Sequence, residues 1–202
     1  MDDREQRYYH SLYEIAAIIN SASTSDSLLR SVVENVALVL EAKGCSIMLR
    51  TPDKKLLLHT ASFGLSDCYI QKGPVFADMS IAAALRGQPV AVLNAGSDDR
   101  IQYQKQASEE GIASILSVPV MLRERVIGVM RVYTSEPYYF TETDIYFVGA
   151  VANLGAIALE NARLYDSAQK DYEALSLYLA EWREALGHEW LGEETELSLK
   201  EN

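Results

Sequence analysis

Thiols are scarce. Cys45 and Cys68 are the two cysteines in 202 residues, too few for a disulfide framework or a four-cysteine zinc site. Basic charge is also short, at 18 Lys and Arg against 29 Asp and Glu for a net charge of −11. Binding to nucleic-acid backbone or an anionic membrane depends on Lys and Arg displacing counterions, so neither is an expected partner. Long apolar runs are missing too. The longest uncharged stretch, Ile145 to Leu159, is fifteen residues and includes Asn153, whereas a membrane span needs about 20. The opening Met1-Asp2-Asp3-Arg4-Glu5 has neither the basic region nor the apolar region of a signal peptide. These absences predict a soluble, cytoplasmic protein. The sequence also shows no helix-turn-helix, phosphate-cradling glycine loop or HExxH motif.

What remains is an ordinary globular composition, 49% apolar and 23% charged. The length suits one domain with a helical extension, large enough to bury a core without a metal or disulfide. Tyr8, Leu12, Ile15, Ala16 and Ile19 share one helical face within Asp3 to Asn20. Ser21 to Asp26 breaks that pattern, and a second helix follows from Leu28 to Glu41. Cys45 to Arg50 and Leu56 to Phe63 read as a hairpin, and Pro89 to Leu93 as a short strand. A short helical piece falls within Gly64 to Val75, a helix at Met79 to Leu85, and another over Asp98 to Glu110, stopped by Gly111. Ala113 to Leu122 and Arg125 to Tyr133 form a second hairpin around Arg123-Glu124. A long last helix starts at Thr141, with Asp144 at the capping position three residues on.

Helices grouped at the two ends and strands in meander pairs predict an α+β fold, with the terminal helices packed on one face of an antiparallel sheet. In the last strand Val126, Gly128, Met130 and Val132 make an apolar or small face. Ile127, Val129, Arg131 and Tyr133 make a mixed one. One face is therefore expected in the core, and the other against something wetter.

Four segments in order, Ser117-Val118-Pro119-Val120, Arg125 to Met130, Phe140 to Asp144 and Ala156 to Tyr165, resemble the C-terminal half of a GAF domain. The first hairpin agrees with the N-terminal half. The resemblance implies a PAS-like six-stranded antiparallel sheet, a small-molecule pocket roofed by the middle loops, and a sensory or regulatory role. Many members dimerise through their first and last helices. Their ligands include cyclic nucleotides, haem, bilins, amino acids and metals, and fold does not choose among them. No cofactor is assigned, and no catalytic or metal residue is expected.

Within that frame the expected domains are an N-terminal dimerisation helix (1–24), the GAF domain (25–160), a coiled-coil extension (161–187) and a disordered acidic tail (188–202). Leu154, Ala158, Asn161, Tyr165, Ala168, Tyr172, Leu175, Leu179, Trp182 and Leu186 step by four and three, a heptad seam. Tyr165, Tyr172, Leu175, Leu179 and Trp182 are thus the expected homodimer interface. Arg131, charged in mid-strand, needs a partner or a cavity, and on the pocket side it suits a carboxylate or phosphate. A salt bridge to Asp78 or Glu109 is the equal alternative. On the geometry the resemblance implies, Asp78, Tyr103 and Ser117 join Arg131 as ligand-binding residues.

Cyclic-nucleotide binders in the family carry an Asn-Lys pair and Phe-x-x-x-Asp-Glu. Here Phe140 and Asp144 match, Ile145 replaces the Glu, and Thr134-Ser135 stands where Asn-Lys is sought. Phe140 and Asp144 are read instead as an anchor and a helix start. Some relatives reduce free methionine sulfoxide with cysteines, but the segments around Cys45 and Cys68 do not resemble theirs. His59 is the one strand histidine and has no ligand-spaced partner, while His188-Glu189 lacks the rest of a histidine-kinase motif. The expected function is a non-enzymatic sensory module that binds a small molecule and signals through a dimeric helix, with a downstream signalling protein as a possible partner. The alternatives are a thiol-based reductase and a ligand-free dimerisation module whose pocket is filled by Tyr69, Phe76 and Met79.

Overall fold

The computed structural model describes residues 3–21, 25–77 and 81–198. Two helices open the chain, α1 (Asp3–Ser21) and α2 (Ser25–Val39). Their buried side chains recur every three to four residues: Tyr8 and Ile15 from α1, Leu29, Val32, Val33 and Val36 from α2. Ala16, expected on the inner face of α1, is exposed, because the buried stripe turns through Ser11 and Ile15 instead.

The strands are β1 (Gly44–Arg50), β2 (Leu56–Phe63), β3 (Val75–Phe76), β4 (Val90–Val92), β5 (Ser114–Leu122) and β6 (Arg125–Thr134). They form one sheet in the order β3-β2-β1-β6-β5-β4, antiparallel at every pairing. The two hairpins flank the central β1–β6 contact. Gly128 makes that contact possible, since a Cβ there would lie 2.3 Å from the Met48 carbonyl oxygen. Two short helices, α3 (Asp67–Ile70) and α4 (Gln104–Glu109), and one 3₁₀ turn at Ala84–Arg86 lie in the connections.

The middle of the chain departs most from expectation. Strand β3 was not anticipated, because two residues carry no alternation to read. The helix expected over Met79 to Leu85 is, in its described part, a turn that Gly87 ends in the left-handed conformation. The helix expected across Asp98 to Glu110 spans only Gln104–Glu109. Asp98 instead accepts from the backbone of Arg100 at 2.9 Å and holds its guanidinium at 2.6 Å, which fixes a turn.

The last helix, α5 (Glu142–Ser198), starts as expected. The Thr141 amide donates to Asp144 Oδ2 at 2.8 Å and the Asp144 amide to Thr141 Oγ1 at 3.2 Å, a reciprocal cap. The helix is continuous to Ser198.

The chain divides into two compact units, residues 1–160 and 161–202. In the first, the sheet separates two interiors. Its helix side joins α1, α2 and the start of α5 to Cys45, Ile47, Leu116, Val118, Met130 and Val132. Its other side packs Ile115, Tyr133 and Val129 under Tyr69, Ala107 and Ile81 from the connections. From Gly128 to Tyr133 the faces of β6 are as the alternation predicts, while Ile127, expected on the mixed face, packs against the helix-side core beside a register shift between β5 and β6. In the second unit Tyr165, Tyr172, Leu175, Leu179 and Trp182 are all exposed.

Candidate functional site

A polar row crosses the sheet on the side away from the terminal helices. The pairing places Ser62 opposite Ser46, Ser46 opposite Arg131, and Arg131 opposite Ser117. Strand alternation turns all four to this roof side. Arg131 is only 4% exposed, and its Nε donates to Ser117 Oγ at 3.1 Å. Ser46 Oγ and the Tyr133 hydroxyl lie 2.9 Å apart. A guanidinium buried under a roof is costly unless it serves structure or a ligand.

The roof adds a second cation and aromatic walls. Tyr69 on α3 is buried, and its ring meets that of Tyr133 edge-on with centroids 5.9 Å apart. Lys72, just beyond α3, donates to the Tyr69 carbonyl at 2.8 Å. Its ammonium sits 3.7 Å from the Tyr69 ring centroid and 5.7 Å from that of Tyr103, within cation–π range. Burial, helped by the Arg131 charge and opposed by Glu110, pulls the Lys72 ammonium down to about 8.

His59 on β2 completes the cluster. Burial, then the Lys72 and Arg131 charges, lowers its imidazole to about 4. Neither ring nitrogen has a hydrogen-bond partner, although both are shut off from solvent. An orphaned polar group of this kind costs about 1–3 kcal/mol. It is therefore a place where a ligand atom would be rewarded.

Of the four expected ligand residues, the structure brings Arg131 and Ser117 into direct contact and sets Tyr103 against Lys72. Asp78 lies outside the described residues. The Tyr103 hydroxyl donates to the Pro74 carbonyl at 2.9 Å, so it ties the roof together and leaves the ring as the usable surface. The Arg131–Glu109 alternative does not form: Glu109 is exposed on α4 and pairs with Lys105 at 3.7 Å. The reading of the residues missed Lys72, whose position depends on where a four-residue helix ends. It saw His59 but had no means of placing Lys72 and Arg131 near it.

Cavities of 470 Å³ and 230 Å³ open elsewhere, and Tyr138 lines both. The first runs along Asn94, Asp98 and Arg100, the second along Arg4, Tyr8 and Glu41. Neither reaches Arg131, Lys72 or His59. The buried Arg131, the half-buried Lys72 and the orphaned imidazole make the roof side a better candidate than the openings by Tyr138.

Phe140 and Asp144 prove structural. Asp144 is fully buried and accepts from Tyr8 at 2.6 Å and Tyr138 at 3.1 Å, besides its capping bond. Phe140 packs edge-on against Tyr138 at 5.0 Å. The thiols lie on different sides of the sheet. Cys45 is buried in the helix-side core, where burial pushes its thiol up, while Cys68 is exposed on α3. Among the described residues no group of three or more His, Cys, Asp or Glu side chains gathers to hold a metal. By length and composition α5 could cross a membrane over Glu142–Trp182. Its Phe147, Val148, Val151, Ala152 and Ala156 are buried against the domain's own core, which accounts for that apolar character.

A six-stranded antiparallel sheet with terminal helices on one face and short connecting elements roofing the other defines the architecture of an α+β domain. The chain belongs to the GAF domain family, which it matches over residues 22–160, a family of sensory and regulatory roles. The GAF domain from a phosphoenolpyruvate-protein phosphotransferase of Coxiella burnetii superposes with a TM-score of 0.72 at 18% identity, over 82% of this chain and 99% of that one. The corresponding domain from Acinetobacter gives 0.66 at 25% identity, covering 81% and 97%. Free methionine-R-sulfoxide reductase from Neisseria meningitidis, solved with its substrate, gives 0.69 at 18% identity, covering 82% and 95%. No curated protein matches the sequence.

Proposed function

We propose that this chain is a non-enzymatic sensory module that binds a small molecule at the roof side of the sheet and passes its state to a paired C-terminal helix. The observation that carries the binding half is the buried Arg131–Ser117 pair beside an imidazole with no partner. The signalling half rests on continuity. Strand β6 carries Arg131 and leads through Tyr138 and Asp144 directly into α5, so a displaced Arg131 pulls on the segment that starts the helix. The exposed Tyr172, Leu175, Leu179 and Trp182 form a stripe that a second copy would cover. On this reading the domains are the helix of residues 1–24, a ligand-binding body of 25–160 and a coiled-coil arm from 161, with a downstream signalling protein as the receiver.

A thiol reductase on the same fold is disfavoured by the cysteines. A nucleophile at Cys68 has no resolving partner, because Cys45 is sealed in the opposite core. The test of binding compares the protein as purified with the same protein unfolded, dialysed and refolded. A ligand at a hundredfold its dissociation constant adds about 2.7 kcal/mol of stability, so the refolded sample is expected to melt several degrees lower. Identical melting would remove the binding half of the reading.

A further inference from the structure

Taking the roof side as a ligand site, we propose that its ligand is a small organic anion, held by the Lys72 ammonium, the Arg131 guanidinium and the His59 ring, with its apolar part against Tyr69 and Tyr103. Three nitrogen-bearing side chains from three elements serve this side of the sheet: the register sets His59 of β2 and Arg131 of β6 on the roof face, and Lys72, in the turn after α3, holds its ammonium over the Tyr69 ring. The charges of Lys72 and Arg131 both act on His59. The acid that faces Lys72 is Glu110, at the end of α4, and its carboxylate is engaged by the Ser66 amide at 2.9 Å and by the Ser66 hydroxyl. The remaining titratable neighbours, Tyr69 and Tyr133, are buried phenols pushed upward by burial, hence neutral donors. Asp78 lies outside the described residues.

The two His59 nitrogens decide what is missing. A neutral imidazole lacks one acceptor and one donor, whereas a protonated one offers two N–H donors, which the two oxygens of a carboxylate meet. The rings of Tyr69 and Tyr103 already flank the Lys72 ammonium, so an apolar or aromatic body beside the carboxylate would extend that stack.

Binding an anion favours the charged forms of Lys72 and His59, so complex formation takes up protons. Affinity rises as pH falls through the Lys72 value of about 8. It rises again as His59 becomes protonated in the complex at a pH where the free protein, at about 4, leaves it neutral. Each proton taken up contributes up to about tenfold per pH unit between the free and bound values.

The test uses the full chain, with benzoate and formate as carboxylate probes and benzamide as benzoate's uncharged analogue. His59 ring resonances, assigned through H59Q, are followed against pH by NMR. Benzoate is expected to raise the His59 midpoint by about one unit or more, formate to raise it less, and benzamide to leave it in place. K72Q and R131Q are each expected to weaken benzoate binding about tenfold, K72Q serving where R131Q fails to fold. A His59 midpoint moved by neither carboxylate, or benzamide binding as tightly as benzoate, would overturn the anion assignment. The broader reading fails separately, by the absence of any co-purifying molecule or refolding-sensitive stability.

Discussion

Asp144 joins three parts of the chain with one side chain. Its oxygens accept from Tyr8 on α1, from Tyr138 before α5 and from the Thr141 amide, and Arg4 lies 3.5 Å away. Asp144→Ala would strand two hydroxyls and an amide in the interior, and the expected loss is about 3 kcal/mol in urea unfolding. Arg4 is partly exposed, so Arg4→Ala should cost far less. His59 gives a second residue-scale prediction. Its folded value of about 4 lies below the ordinary 6.5, so between those values the unfolded chain binds a proton that the folded chain does not. Stability should be unaffected above pH 6.5 and fall by up to about 3 kcal/mol as pH drops toward 4. Urea titrations of wild type and H59Q across that range would check this, with the extra slope absent in H59Q. Arg131 was legible because a lone charge interrupts an alternating strand. Lys72 was not, since a side chain beyond a one-turn helix has no periodicity to place it.

At the scale of elements, the long strands and terminal helices were readable from their spacing, and their ends shifted by a few residues. The connections were readable in part, since the short helix within Gly64 to Val75 and the strand within Pro89 to Leu93 are both present. β3 is two residues long, and the stretch before α4 is shaped by the local Asp98–Arg100 pairing, which outcompetes helix propensity. The β5–β6 turn carries a local conflict. Arg123 and Glu124 both hold positive φ, at 46° and 64°, conformations that favour Asn and Gly. Replacing the pair by Asn-Gly is expected to stabilise the protein by about 1 kcal/mol without altering the site, read by thermal and urea melts. Gly128→Ala acts oppositely. It drives a methyl into the Met48 carbonyl and should open the β1–β6 pairing, with a loss of about 1–3 kcal/mol. On the arm, L175E with L179E is expected to turn a dimer into a monomer by light scattering while leaving the body folded, because both side chains are exposed in the chain by itself.

For the whole molecule, the order of elements was enough for the α+β class, and four short segments in the right order carried the resemblance to the family. The ligand chemistry was only half visible. A sequence displays a misplaced charge, but not the imidazole and ammonium that folding brings beside it from distant positions. Sensing and pairing are the two halves of the proposal, and native mass spectrometry of the purified full chain reads both at once. The account predicts a dimer carrying a small extra mass that departs on denaturation, with R131M purified without it. A monomer of bare sequence mass, unchanged by R131M, would contradict both halves.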